Sequence, residues 1–95
     1  MSLYFRLPAG IRLLKNNGLP ASYEASLLIR GKRHTKRFSI RDMGSMPALN
    51  AAQRWRLTTF QLTMKDPKWQ QTATPVEINL LKRKIQQLQQ WFKKS

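Results

Sequence analysis

Six basic side chains, Arg30, Lys32, Arg33, Lys36, Arg37 and Arg41, fall within twelve residues that hold no acid. The chemistry open to such a run is attraction to a polyanion. Cations neutralise phosphate charge, and arginine can also donate paired hydrogen bonds to a guanine edge. Groups suited to bond making and breaking are scarce. The four acids, Glu24, Asp42, Asp66 and Glu77, are scattered, the single histidine, His34, lies inside the basic run, and there is no cysteine. A carboxylate pair or metal cluster would have to be assembled from these alone. Disulfides and a Cys/His zinc site are excluded. The expectation is no catalytic residue, no metal site and no cofactor.

Charge balance points the same way. Net charge is +14 over 95 residues, from 18 Lys and Arg against 4 Asp and Glu. A surface that repels itself so strongly costs stability, and a polyanion that neutralises it accounts for its presence. Nucleic acid is the first suspect and an anionic membrane surface the second. The 41% hydrophobic content supports a folded unit, although a chain of this size buries only about 60–65% of its unfolded surface. No stretch reaches the ~18 apolar residues of a membrane span, and the N-terminus is a poor signal peptide. The expected setting is cytoplasmic and bacterial, associated with the nucleoid when bound, with no membrane partner.

The basic run is carried by a β-hairpin rather than a tail. Residues 10–15 (GIRLLK) read as a short strand and residues 16–20 (NNGLP) as a turn. Residues 22–30 (SYEASLLIR) and 33–40 (RHTKRFSI) read as two further strands, with Gly31-Lys32 as a Gly-first turn between them. That turn sets Arg30 opposite Arg33, Leu28 opposite Thr35, Ser26 opposite Arg37 and Glu24 opposite Ser39. These eight share one polar, basic face. The other face holds Tyr23, Ala25, Leu27 and Ile29 against Ile40, Phe38, Lys36 and His34. A one-residue slip would invert the two faces. Lys36 is the misfit, acceptable if its strand is an edge.

Past a break at Met43-Gly44, Ser45 is the expected N-cap and Pro47 suits the first turn of a helix over residues 48–64. Ala48, Ala52, Trp55, Thr59 and Leu62 make its expected buried stripe, with Trp55 in the core. Asp66-Pro67 ends it. Residues 68–73 read as polar linker, with Trp69 either exposed or docked on the domain. Thr74 and Glu77 form a capping box with Pro75 between them, opening a second helix. Its seam, Ile78, Leu81, Ile85, Leu88 and Phe92, steps by three and four as in a two-heptad coiled coil. The seam either makes a homodimer or folds back on the domain. The residues just ahead of the first strand (LYFRL, 3–7) either pack on the domain or add a strand. The expected architecture is α+β: a three-stranded antiparallel sheet packed on one α-helix, plus a C-terminal amphipathic helix. The expected division is 1–66 domain, 67–73 linker and 74–95 helix.

The order of Gly10-Ile11-Arg12, then SYEASLLIRGKRHTKRFSIRDMG, then ALNAAQRWR resembles an apetala-type (ethylene-response-factor) DNA-binding domain. It is most similar to the divergent form in apicomplexan regulators and in phage integrases and endonucleases. The resemblance covers residues 10–56. It implies a sheet that enters the DNA major groove, with contacts from the face opposite the helix. Those positions are Arg12, then Glu24, Ser26, Leu28 and Arg30, then Arg33, Thr35, Arg37 and Ser39. The plant form carries tryptophans on that face, and these strands have none.

Arg12, Arg30, Arg33 and Arg37 are the expected base readers, and Lys32, Lys36 and Arg41 the expected phosphate contacts, which position without specifying. Glu24 either orients Arg37 or accepts from a cytosine amino group. Leu28 either meets a thymine methyl or is simply exposed. His34 is expected as an edge or packing residue. The function expected is sequence-specific double-stranded DNA binding by a small regulator of bacterial, phage or mobile-element origin. Two alternatives stand beside it: the targeting module of an integrase or endonuclease, and a structured-RNA binder.

Overall fold

The computed structural model describes residues 7–94. The lead-in segment therefore lies outside the described residues apart from Leu7. Strands β1 (Ile11–Asn16), β2 (Leu19–Ile29) and β3 (Lys32–Ser39) form one antiparallel sheet in the order β1-β2-β3. Helices α1 (Ile40–Met43), α2 (Ser45–Lys65), α3 (Pro67–Thr72) and α4 (Pro75–Lys94) follow. The class is α+β, as expected. The chain forms two compact units, Met1–Gln53 and Arg54–Ser95.

Both hairpins turn through two residues at positive φ: Asn17 (54°) with Gly18 (78°), and Arg30 (52°) with Gly31 (76°). Paired left-handed residues match the twist of the flanking strands. The second turn is thus Arg30-Gly31, not Gly31-Lys32, and the register shifts by two. Leu28 opposes Arg33, Ser26 opposes Thr35, Glu24 opposes Arg37 and Ser22 opposes Ser39. A shift of two keeps the side chains that remain in the strands on their expected faces, because side chains alternate with period two, while Arg30 passes to the turn and Ile40 to α1. In β1–β2 the register slips between Leu14 and Lys15, where Leu14 opposes Ser22 and Lys15 opposes Pro20. Pro20, with no N–H to give a ladder, sits at that irregularity.

In the first unit, Ile11, Tyr23, Ala25 and Leu27 from the sheet and Ala48, Leu49 and Ala52 from α2 are buried. Each large apolar side chain taken from water contributes about 1.5–3 kcal/mol. Tyr23 and Ser45 hydroxyls lie 3.1 Å apart, which ties the sheet to the start of α2. Ser45 is the first residue of α2 rather than its cap; the Ala48 N–H donates to the Gly44 carbonyl at 3.0 Å. The break expected at Met43-Gly44 is preceded by one helical turn. Ser39 caps it, its Oγ accepting the Asp42 N–H at 3.1 Å, and Gly44 (φ 91°) ends it.

The buried stripe of α2 differs from the expected one. Ala48 and Ala52 are buried, but Trp55 and Thr59 are half-buried and Leu62 is 64% exposed. Leu49, Gln53, Arg56, Leu57 and Phe60 are buried instead. Rows spaced by four drift around a helix of 3.6 residues per turn. A stripe started at Ala48 can therefore continue on either flank, and burial follows Leu57 and Phe60.

The second unit holds the rest of α2, α3 and α4. Residues expected as linker fold into α3, whose N-cap Asp66 accepts the Lys68 N–H at 3.1 Å, and Trp69 is buried. The capping box of α4 forms as read. Glu77 N–H donates to Thr74 Oγ1 at 3.2 Å, and Thr74 N–H donates to Glu77 Oε1 at 2.9 Å. Leu81 and Leu88 are buried with Leu57 and Phe60, and Ile78, Ile85 and Phe92 are half-buried. The Arg54 guanidinium lies 4.5 Å from the Phe92 ring centroid. Burial pushes the Arg56 guanidinium below its ordinary pKa. Among the described residues, no helix is long and apolar enough to cross a membrane.

Candidate nucleic-acid interface

Strand alternation and the two registers place side chains in rows across the outer face of the sheet. One row is Arg12, Glu24 and Arg37, one residue from each strand. Its neighbour is Ser26 with Thr35, beside Gly10, whose carbonyl accepts the Ser26 N–H at 2.8 Å. The row nearest the second turn is Leu28 with Arg33. Toward the first turn come Leu14, Ser22 and Ser39. This face is solvated: Arg12, Arg33, Thr35 and Arg37 are exposed, and Leu28 is 55% exposed.

The centre of the face is an ion-paired row. Arg12 Nε–H donates to Glu24 Oε1 at 2.8 Å, and Arg37 Nε–H donates to Glu24 Oε2 at 3.4 Å. The Glu24 side chain is 13% exposed, while those of both arginines are 69% exposed. Exposed pairs of this kind contribute little stability, at most about 1 kcal/mol. Their effect is on orientation. The expectation that Glu24 orients Arg37 captures half of the arrangement, and Arg12 is the other half. No β1–β2 register was legible from the turn residues at 16–20, so the row could not be written in advance.

Other expected residues are placed differently. Arg30 is in the turn, at the end of the sheet, rather than in a cross-strand pair with Arg33. Lys32 opens β3 opposite Ile29, so alternation puts it with the inner-face residues, although it is exposed. Ser39 keeps the outer-face parity but is half-buried, and its hydroxyl is engaged as the α1 cap. Arg41 belongs to α1 and lines a hollow at the end of the sheet with Asn16, Asn17, Pro20 and Ser39. Leu14 and Ser22 share the outer face and were not singled out; alternation from Arg12 and Glu24 is the signal that finds them. Lys36 is exposed on edge strand β3, its Nζ 5.6 Å from the Phe38 ring centroid. His34 is exposed on the same edge.

The α4 seam, read as the dimerisation surface, is largely covered within one chain, since Leu81 and Leu88 are 7% and 4% exposed. Ile78, Ile85 and Phe92 of the same seam are half-buried. Two heptads bind a neighbour in the same chain at an effective concentration near millimolar, which free association must match. Among the described residues, no group of three or more His, Cys, Asp or Glu is placed to hold a metal ion.

Fold and face together define a small α+β protein with a cationic outer sheet face. Comparison with protein-family models, with curated proteins and with solved structures gave no significant match.

Proposed function

We propose that the chain binds double-stranded DNA sequence-specifically, with the outer face of the sheet in the major groove. The observation that carries this is the cross-strand placement of Arg12, Arg33 and Arg37, all exposed, on one face of the sheet. Three strands span about 10 Å between β1 and β3 at ~4.8 Å per step. The major groove of B-DNA is about 12 Å wide and shows a distinct donor and acceptor pattern for each base pair. Arginines on that face reach guanine O6 and N7, while Lys36 and Arg41 at its margins suit phosphates. Arg30, at the turn, and Lys32 beside it serve the end of the sheet nearest the second hairpin. The role that fits is a small transcriptional regulator of bacterial, phage or mobile-element origin, with no catalytic step assigned to this chain.

Selection from a random duplex pool at ~150 mM salt, near physiological ionic strength, tests the proposal. Recovery of a defined motif supports it, and a palindrome or direct repeat would restore the homodimer. Salt-sensitive binding without a motif means nonspecific attraction. Stronger retention of duplex RNA, whose major groove is too deep and narrow for a sheet, sinks the groove assignment.

A further inference from the structure

Three of the four acids start helices: Asp42 in the first turn of α1, Asp66 as the α3 cap and Glu77 in the α4 capping box. Glu24 is the fourth, and it stands in the middle of the cationic face. A carboxylate there repels phosphate, so it weakens any purely electrostatic grip on a polyanion. A face built only to neutralise phosphates gains nothing from it.

Its geometry supplies a reason. Each Glu24 oxygen accepts one Nε–H, from Arg12 on one side and Arg37 on the other. A guanidinium has five N–H donors, and each of these two spends one on Glu24. The remaining donors of both make no other hydrogen bond among the described residues. Glu24 also screens the two cations from each other, so both can hold station on the two outer strands.

We propose that Glu24 is a positioning residue that fixes Arg12 and Arg37 as a pair, set to read two guanines one to three base pairs apart. The spacing follows from about 10 Å between the outer strands against ~3.4 Å of rise per base pair along each strand. A shared carboxylate draws the two guanidiniums inward and favours the shorter separations. This inference rests on the base-reading proposal above.

The test compares wild type, Glu24→Gln, Arg12→Lys and Arg37→Lys in the same random-duplex selection, with affinities measured on the selected site and on a scrambled duplex. Wild type is expected to select two guanines within three base pairs of each other. Glu24→Gln should lower discrimination at both positions together, by about tenfold each, while affinity for the scrambled duplex holds or rises. A purely structural role would lower both affinities alike. Arg12→Lys and Arg37→Lys keep the charge but lose the fork, so each should relax one guanine alone. If Glu24→Gln does not fold, Glu24→Asp, which keeps the charge but is one methylene too short to hold both guanidiniums at 2.8 and 3.4 Å, gives the same comparison. In the free protein, slowed Nε–H exchange at Arg12 and Arg37 should be lost in Glu24→Gln. Both guanine preferences surviving Glu24→Gln overturn the inference and leave the base-reading proposal standing, as does relaxation of a single cytosine position. A wild-type pool with no motif overturns both.

Discussion

Leu28 lies directly opposite Arg33 across the second hairpin. That pairing brings Arg33 onto the outer face beside an exposed leucine, and leaves Arg30 to form the turn with Gly31. The basic run is therefore divided. Arg33 and Arg37 stand on the outer face, Lys32 and Lys36 alternate to the other, and Arg30 and Arg41 cap the strand's two ends.

Arg33→Ala and Lys36→Ala should separate these roles. Arg33→Ala is expected to relax preference at one or two base pairs, at about 1–3 kcal/mol of discrimination. Lys36→Ala should weaken all sequences alike and reduce the salt slope by about one. Affinities on the selected site and its single-base variants check this. Identical behaviour of the two variants contradicts the division.

Arg30 holds φ at 52°, a left-handed conformation that costs an ordinary residue about 1 kcal/mol. Asn tolerates it better and makes an Asn-Gly turn. Arg30→Asn should raise the thermal midpoint by a few degrees, equivalent to about 0.5–1 kcal/mol, while weakening DNA binding. Gly31→Ala, at φ 76°, should lower the midpoint. Calorimetry of both variants tests the turn assignment, since a Gly31-Lys32 turn makes Arg30→Asn neutral.

With about six phosphate contacts, log affinity should fall against log salt with a slope near −5. Titration from 50 to 200 mM salt, a range set by the steep dependence expected for such contacts, reads it directly. A slope near zero means that the face does not meet a polyanion.

Leu88 is 4% exposed in a single chain. Leu88→Ala should cost about 2–5 kcal/mol of stability by leaving a cavity, and Thr74→Ala about 1 kcal/mol by removing the α4 cap. Denaturant unfolding at several protein concentrations distinguishes the two uses of the seam. Midpoints that do not move with concentration fit fold-back, and midpoints that rise with it mean that the seam pairs between chains.

The amino-acid sequence by itself determined which residues share a face of the sheet. Strand alternation has period two, so Glu24, Ser26 and Leu28 must lie together whatever the register. It also determined the start of α4, because a capping box is closed by groups three residues apart. Only the tertiary structure decided the cross-strand rows. A two-residue shift preserves every face and so leaves no trace in polarity; the positive φ of Arg30 and Gly31 settles it. The Arg12–Glu24–Arg37 row needs two registers at once, one of them passing an irregularity beside Pro20. The fate of the α4 seam was likewise tertiary. An apolar stripe states that it must be covered but not by what, and here Leu57, Phe60 and Trp69 are buried in the same unit.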